Sequence, residues 1–147
     1  MTTSIDQAVT LFQQGFICSQ AVLAAYAPDL DLPYETALKI AAGFGGGLGR
    51  SGEVCGAVSG AIMVIGLHTG LIEPGNSATK ENTYALTQQL IEHFKERHGS
   101  ILCRDLLGCD LSQPEGLQHA REAQLFTTRC PLFVRAAAEI VSALIEK

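Results

Sequence analysis

Five cysteines carry the reactive chemistry of this 147-residue chain: Cys18, Cys55, Cys103, Cys109 and Cys130. Their spacings are wide and hold no Cys-x-x-Cys pair, so neither the zinc-ribbon nor the thioredoxin pattern is present. The central cysteine has the most distinctive context. Six glycines (Gly43, Gly45, Gly46, Gly47, Gly49 and Gly52) precede Cys55, and an apolar run from Ala57 to Leu67 follows it. Glycines let the backbone turn through positive φ and approach other groups closely. The pattern reads as a glycine loop feeding a buried helix, with Cys55 in its first turn. Amide N–H groups there lack intrahelical partners and carry partial positive charge. A thiolate is favoured in such a place, with a pKa near or below 7 expected in place of about 8.5. Cys55 is therefore the expected attacking thiolate.

The surrounding elements read as helices. Ser4 caps a short amphipathic helix carrying Ile5, Ala8, Leu11 and Phe12, which stops at Gly15. A second helix starts near Cys18 or Ser19 and ends before Pro28. Pro33 suits the first position of a third helix with Ala37, Leu38, Ile40 and Ala41 as its apolar stripe. The helix after Cys55 ends near Gly70, and residues 72–79 read as a loop. Residues 80–97 are helical in pattern and stop at Gly99; Ser100 caps a helix containing Cys103 that stops at Gly108. Residues 110–119 are polar, contain Pro114 and Gly116, and read as the most mobile loop. The last helix begins at Cys130-Pro131, with Cys130 as its cap. No window alternates as a strand does, and no internal repeat is present. The expected fold is all-α: a single-domain bundle of about six or seven helices over residues 1–147, with a central glycine-rich loop.

This layout reveals a pattern that spacing hides. Cys18, Cys55, Cys103 and Cys130 each fall at or beside a helix N-terminus, on four different helices. If those ends converge, four thiols share a site of positive potential. Two chemistries suit it: thiol–disulfide exchange, which needs a thiolate and a resolving thiol, and ligation of zinc or an iron–sulfur cluster. Simple packing is the alternative, because free cysteine behaves as a small apolar residue; packing predicts scattered sulfurs. Cys109, after Gly108, reads as incidental. Arg50 and Arg104 either offset thiolate charge or pair with surface carboxylates, with the pairing slightly favoured. His93 and His98 read as surface residues, and His68 as a helix-end residue. The glycine loop lacks the Gly-Lys-Ser/Thr and preceding strand of a phosphate-binding loop.

Composition sets the outer limits. Hydrophobic residues make up 47% and charged residues 17%, enough apolar matter for one real core. Fifteen acidic against ten basic residues give a net charge of −5, which argues against nucleic acid or an anionic membrane as partner. The apolar run near residue 60 is too short and glycine-rich to span a bilayer. The Met-Thr-Thr-Ser-Ile-Asp start shows no signal-peptide pattern, so a cytoplasmic location is expected. Permanent disulfides are disfavoured there, which directs the cysteines toward metal binding or catalysis.

The sequence resembles the C_GCAxxG_C_C family of small redox-active proteins. The resemblance rests on five ordered blocks: Gly15 to Gln20, Gly43 to Gly47, Glu53 to Ala61, Gly99 to Gly108, and Cys130 to Val134. The family's four cysteines fall on Cys18, Cys55, Cys103 and Cys130, and Cys109 lies outside the set. The central block here reads Cys-Gly-Ala-Val-Ser-Gly, so cysteine precedes the first glycine, whereas the family name has them reversed. The resemblance implies redox activity and frequent association with transporter genes. A similar domain accompanies electron-transfer haem proteins, which adds weight to an iron–sulfur centre; with no Cys-x-x-Cys-His, covalent haem is not expected. The expectations are thus a thiol redox protein using those four cysteines; a zinc or iron–sulfur module bound by the same four; or an accessory protein docking on a membrane transporter.

Overall fold

The computed structural model describes residues 3–146. Ten helical segments follow one another: α1 Ser4–Gln13, α2 Cys18–Tyr26, α3 Tyr34–Ala41, α4 Gly45–Leu48, α5 Gly56–Thr69, α6 Ser77–His98, α7 Cys103–Leu107, α8 Pro114–Glu122, α9 Leu125–Thr128 and α10 Cys130–Ile145. Of these, α4 and α9 are single turns, and 3-10 turns add Ala27–Leu30 and Ala42–Phe44. The all-α expectation holds. Among the described residues the only β-type pairing is an isolated antiparallel bridge between Val54 and Leu102, and no helix is long and apolar enough to cross a membrane.

The additional long helix is α8, where a polar loop was expected. Pro114 opens it, Glu115 suits its positive end, and Ala120 is fully buried. With so few apolar residues, the period of this segment is faint in sequence. Boundaries also move by a residue or more at several starts. Thr3, not Ser4, caps α1, its hydroxyl accepting from the Asp6 amide at 3.1 Å. Pro33 is the cap of α3, not its first helical residue. Asn76 caps α6, which begins three residues earlier than the pattern indicated. Cys130 is the first residue of α10, not its cap.

The core lies where α2, α5 and α10 pack together, with α1 and α6 on their flanks. Leu23, Val58, Ile65, Leu90, Phe94 and Val141 are among its fully buried side chains. Buried polar groups are satisfied by specific partners. The Ser19 hydroxyl donates to the Ala41 carbonyl at 2.7 Å, and the Gln20 amide donates to the Leu38 carbonyl at 3.0 Å, tying α2 to the end of α3. The Tyr26 hydroxyl donates to the Ala138 carbonyl at 2.9 Å and meets Ser142, joining α2 to α10. His98 is only partly at the surface: it packs on Phe94 and Phe133 with ring centroids 5.1 and 5.0 Å away, and burial lowers its pKa.

The α2–α5 contact is unusually close. A Cβ placed on Gly60 would lie 2.9 Å from the Ser19 carbonyl oxygen and 3.1 Å from Val22 Cβ. The first of these is backbone and cannot swing aside. Gly60→Ala is therefore expected to lower stability by about 1–3 kcal/mol through overpacking, although alanine favours a helix interior by about 1 kcal/mol. Urea unfolding reads this directly; an equal or higher midpoint would show that α2 and α5 part without cost.

Candidate functional site

All four expected cysteines line one cavity of about 880 Å³. Cys18 is the first residue of α2, Cys55 caps α5, Cys103 opens α7 and Cys130 opens α10. Four helix starts thus face one space, as the layout of the sequence implied. Cys55 and Cys103 are buried, whereas Cys18 and Cys130 are half-buried. All five cysteines are free thiols.

Two local devices place these sulfurs. The first joins the segments before Cys55 and Cys103. The Cys55 amide donates to the Ile101 carbonyl and the Cys103 amide to the Glu53 carbonyl, each at 2.7 Å. These bonds flank the Val54–Leu102 bridge and fix the two cysteines in register. The glycine loop makes room for them. Gly47 has a φ of 69°, and a Cβ there would stand 2.5 Å from the Glu53 nitrogen and 2.8 Å from Cys103 Cβ. Glycine alone meets both demands. The second device sets Cys18 against α5, where a Cβ on Gly56 would collide with Cys18 Sγ. The residue after Cys55 is thus bare because the Cys18 sulfur occupies that space.

A family model described as "Putative redox-active protein (C_GCAxxG_C_C)" matches residues 16–144. The chain belongs to this family. No curated protein and no solved structure matches it. The match spans every cysteine and every lining residue of the cavity except Phe12 and Gln13 of α1 and Gly15.

The electrostatics of the C_GCAxxG_C_C cysteines correct one expectation. Helix starts were expected to lower the thiol pKa values; instead every one is raised, because burial outweighs the amide field. Burial raises Cys18, and hydrogen bonding from the backbone amides of Gly46, Ser19, Cys18 and Ala57 offsets part of the rise. Burial pushes Cys55 well up, repulsion from Cys18 adds to it, and the Ala57 and Val58 amides oppose it. Cys103 and Cys130 are both pushed to about 12 by burial, with Cys18 the leading repulsive neighbour of each. The Cys18 sulfur packs against Gly56, the residue that follows Cys55, which brings the starts of α2 and α5 together. Ionisation of Cys18 opposes ionisation of the other three.

Cys109 does not line the cavity, yet it is close enough to Cys103 and Cys130 to oppose their ionisation. Arg104 pairs with Glu53 at 3.2 Å on the surface, as expected. Among the described residues Arg50 has no ion pair; it lines the cavity together with Arg121, a residue without any distinguishing sequence context. Phe12, Phe16, Phe126 and Phe133 supply aromatic wall. Their helical spacing reads as ordinary core, so the sequence carried no signal for them. His68 is exposed in the last turn of α5, far along the helix from Cys55, and takes no part.

Four thiols are a chemically suitable donor set for zinc or iron–sulfur. Among the described residues, however, no three Cys, His, Asp or Glu side chains are placed to hold one metal ion. As they stand, the thiols do not form a single-ion site.

Raised thiol pKa values have a consequence for stability. Between the unfolded value near 9.0 and the folded value near 12, native Cys103 and Cys130 hold protons that the unfolded chain has lost. Stability then falls as pH rises. Reduced protein is expected to lose thermal stability progressively above pH 9, and Cys103→Ser/Cys130→Ser to lose less over the same range. Melting curves between pH 8 and 10.5 under reductant test this; equal slopes would mean these thiols ionise freely in the fold.

Proposed function

We propose that this protein is a thiol redox carrier in which Cys18 and Cys55 cycle between dithiol and disulfide. The observation that supports it most is the placement of these two sulfurs. They come from different helices, whose starts meet where the Cys18 sulfur packs against Gly56, and face a cavity that also holds Cys103 and Cys130. The role of attacker moves from Cys55 to Cys18. Cys18 is the less buried of the two, and four backbone amides support its thiolate. Cys55, 7% exposed, is suited to resolving a mixed disulfide from within.

The cycle balances as follows. Cys18 loses its proton to solvent, and its thiolate attacks one sulfur of a partner disulfide. That S–S bond breaks and one partner thiolate leaves. Cys55 gives its proton to the first departing thiolate and attacks the Cys18 sulfur of the mixed disulfide, and the second partner thiolate leaves and takes up a proton from solvent. Two electrons and two protons pass to the partner, and the protein holds a Cys18–Cys55 bond. Cys103 and Cys130 stay protonated beside it, since an ionised Cys18 repels a second charge.

Equilibration in a graded dithiol/disulfide buffer, acid trapping and peptide mapping test this reading. One titrating Cys18–Cys55 disulfide is expected, abolished by Cys18→Ser or Cys55→Ser and retained in Cys103→Ser. Because the Cys18 pKa is raised, alkylation of Cys18 should accelerate about tenfold per pH unit through neutrality, without levelling near pH 7. Absence of any internal disulfide across the redox range would end the proposal. Iron with inorganic sulfide in anaerobically purified protein would replace it with the cluster reading. A Cys-to-Ser quadruple variant that still bound a membrane transporter would favour the accessory role.

A further inference from the structure

The cavity wall has a charge bias that the thiol cycle does not use. The chain holds fifteen acidic and ten basic residues. Yet the charged side chains lining the cavity are Arg50 and Arg121, and no Asp, Glu, Lys or His joins them. Neither guanidinium enters an ion pair among the described residues. Neither contributes to the charges acting on any of the five thiols; the one arginine that does is Arg129, beside Cys109. Arg50 and Arg121 are both exposed side chains that line this space without an ion partner among the described residues.

Arg50 is also held there against its preference. Its φ is 66°, the left-handed region that disfavours side chains. Its stem lies over Gly46, where a Cβ would stand 2.9 Å from Arg50 Cγ. The glycine loop thus clears the ground under the arginine stem, while Gly47 clears it for Cys103. Around the two cations the wall is apolar: Phe12, Phe16, Phe126 and Phe133 with Leu106 and Leu111. A volume of about 880 Å³ lies within the ordinary range for small-molecule sites. Guanidinium groups suit carboxylate oxygens, and aromatic walls suit a flat apolar body.

Taking the thiol cycle as its basis, we infer that the partner disulfide is a low-molecular-weight organic acid with an aromatic or other apolar body, its carboxylate held by Arg50 and Arg121. The overall exchange is P(SH)2 + RSSR → P(S–S) + 2 RSH. The arginines position the ligand and take no part in the electron transfer.

Two measurements test this with separate failure points. In the first, reduced protein is mixed with 5,5′-dithiobis(2-nitrobenzoate), an anionic aromatic disulfide, and with neutral 4,4′-dithiodipyridine. Rates at Cys18 are normalised to those of free N-acetylcysteine. The normalised anionic-to-neutral ratio is expected to exceed one by about tenfold, an advantage of about 1.4 kcal/mol. Arg50→Gln/Arg121→Gln removes most of it; Arg135→Gln, at a residue paired with Asp6 outside the cavity, keeps it. In the second, Cys18→Ser protein is titrated with naphthalene-2-carboxylate and naphthalene-2-carboxamide, with about tenfold tighter binding of the acid expected. Fast exchange with no arginine-dependent charge preference overturns this inference and leaves the thiol cycle standing. Arginine-dependent binding of the acid with no exchange at Cys18 overturns the thiol cycle, and with it the disulfide identity of the ligand, and leaves the anion site alone. Equal binding of acid and amide together with equal normalised rates removes the anion site altogether.

Discussion

The close contact between α2 and α5 governs this molecule. Gly60 lies against the Ser19 carbonyl and Val22, and Gly56 lies against the Cys18 sulfur. Side chains at either position would hold the helices apart. Because they are absent, the start of α2 rests on the start of α5, and the Cys18 sulfur packs against the residue that follows Cys55. The same approach buries Ser19, whose hydroxyl must then find the Ala41 carbonyl and so fixes the end of α3. From there the chain turns directly into the glycine loop. A packing constraint between two helices thus propagates to the geometry of the thiols and of the loop over them.

The thiols show two opposing electrostatic effects. Helix N-termini favour negative charge, by amounts that fall off within a turn. Removal from water disfavours it, and the effect grows with burial. Here burial wins at every cysteine, even at Cys18, where backbone amides oppose it. The result is a set of protonated thiols with an internal order, since charge on one suppresses charge on its neighbours. Such a set stays inert until a partner or a rise in pH draws a proton away. That behaviour differs from the acidic, standing thiolate that helix position alone suggests.

The glycine loop allows close contact. Gly47 admits Glu53 and Cys103, and Gly46 admits the Arg50 stem. Backbone bonds from Cys55 to Ile101 and from Cys103 to Glu53 then lock two distant segments together. The glycine-rich stretch thus lines the cavity that the four thiols share.

Much of this was legible in the chain itself. Helical periodicity, proline and glycine stops and the absence of strand alternation determined an all-α fold, because those signals are local. The same local signals put four cysteines at four helix starts, and five ordered sequence blocks pointed to the family. The weak period of residues 114–122 hid α8, since a helix with one fully buried residue leaves little pattern. What the sequence could not decide depends on distance between segments. Burial, and with it the direction of every thiol pKa, is set by which helices close over a sulfur. The neighbours of Arg50 and Arg104 are equally non-local: one pairs with Glu53 at the surface, and the other turns to the cavity beside Arg121, seventy-one positions along the chain. Residue type and helix position determined where thiols start; only tertiary packing decided which of them meet, and what water they lose.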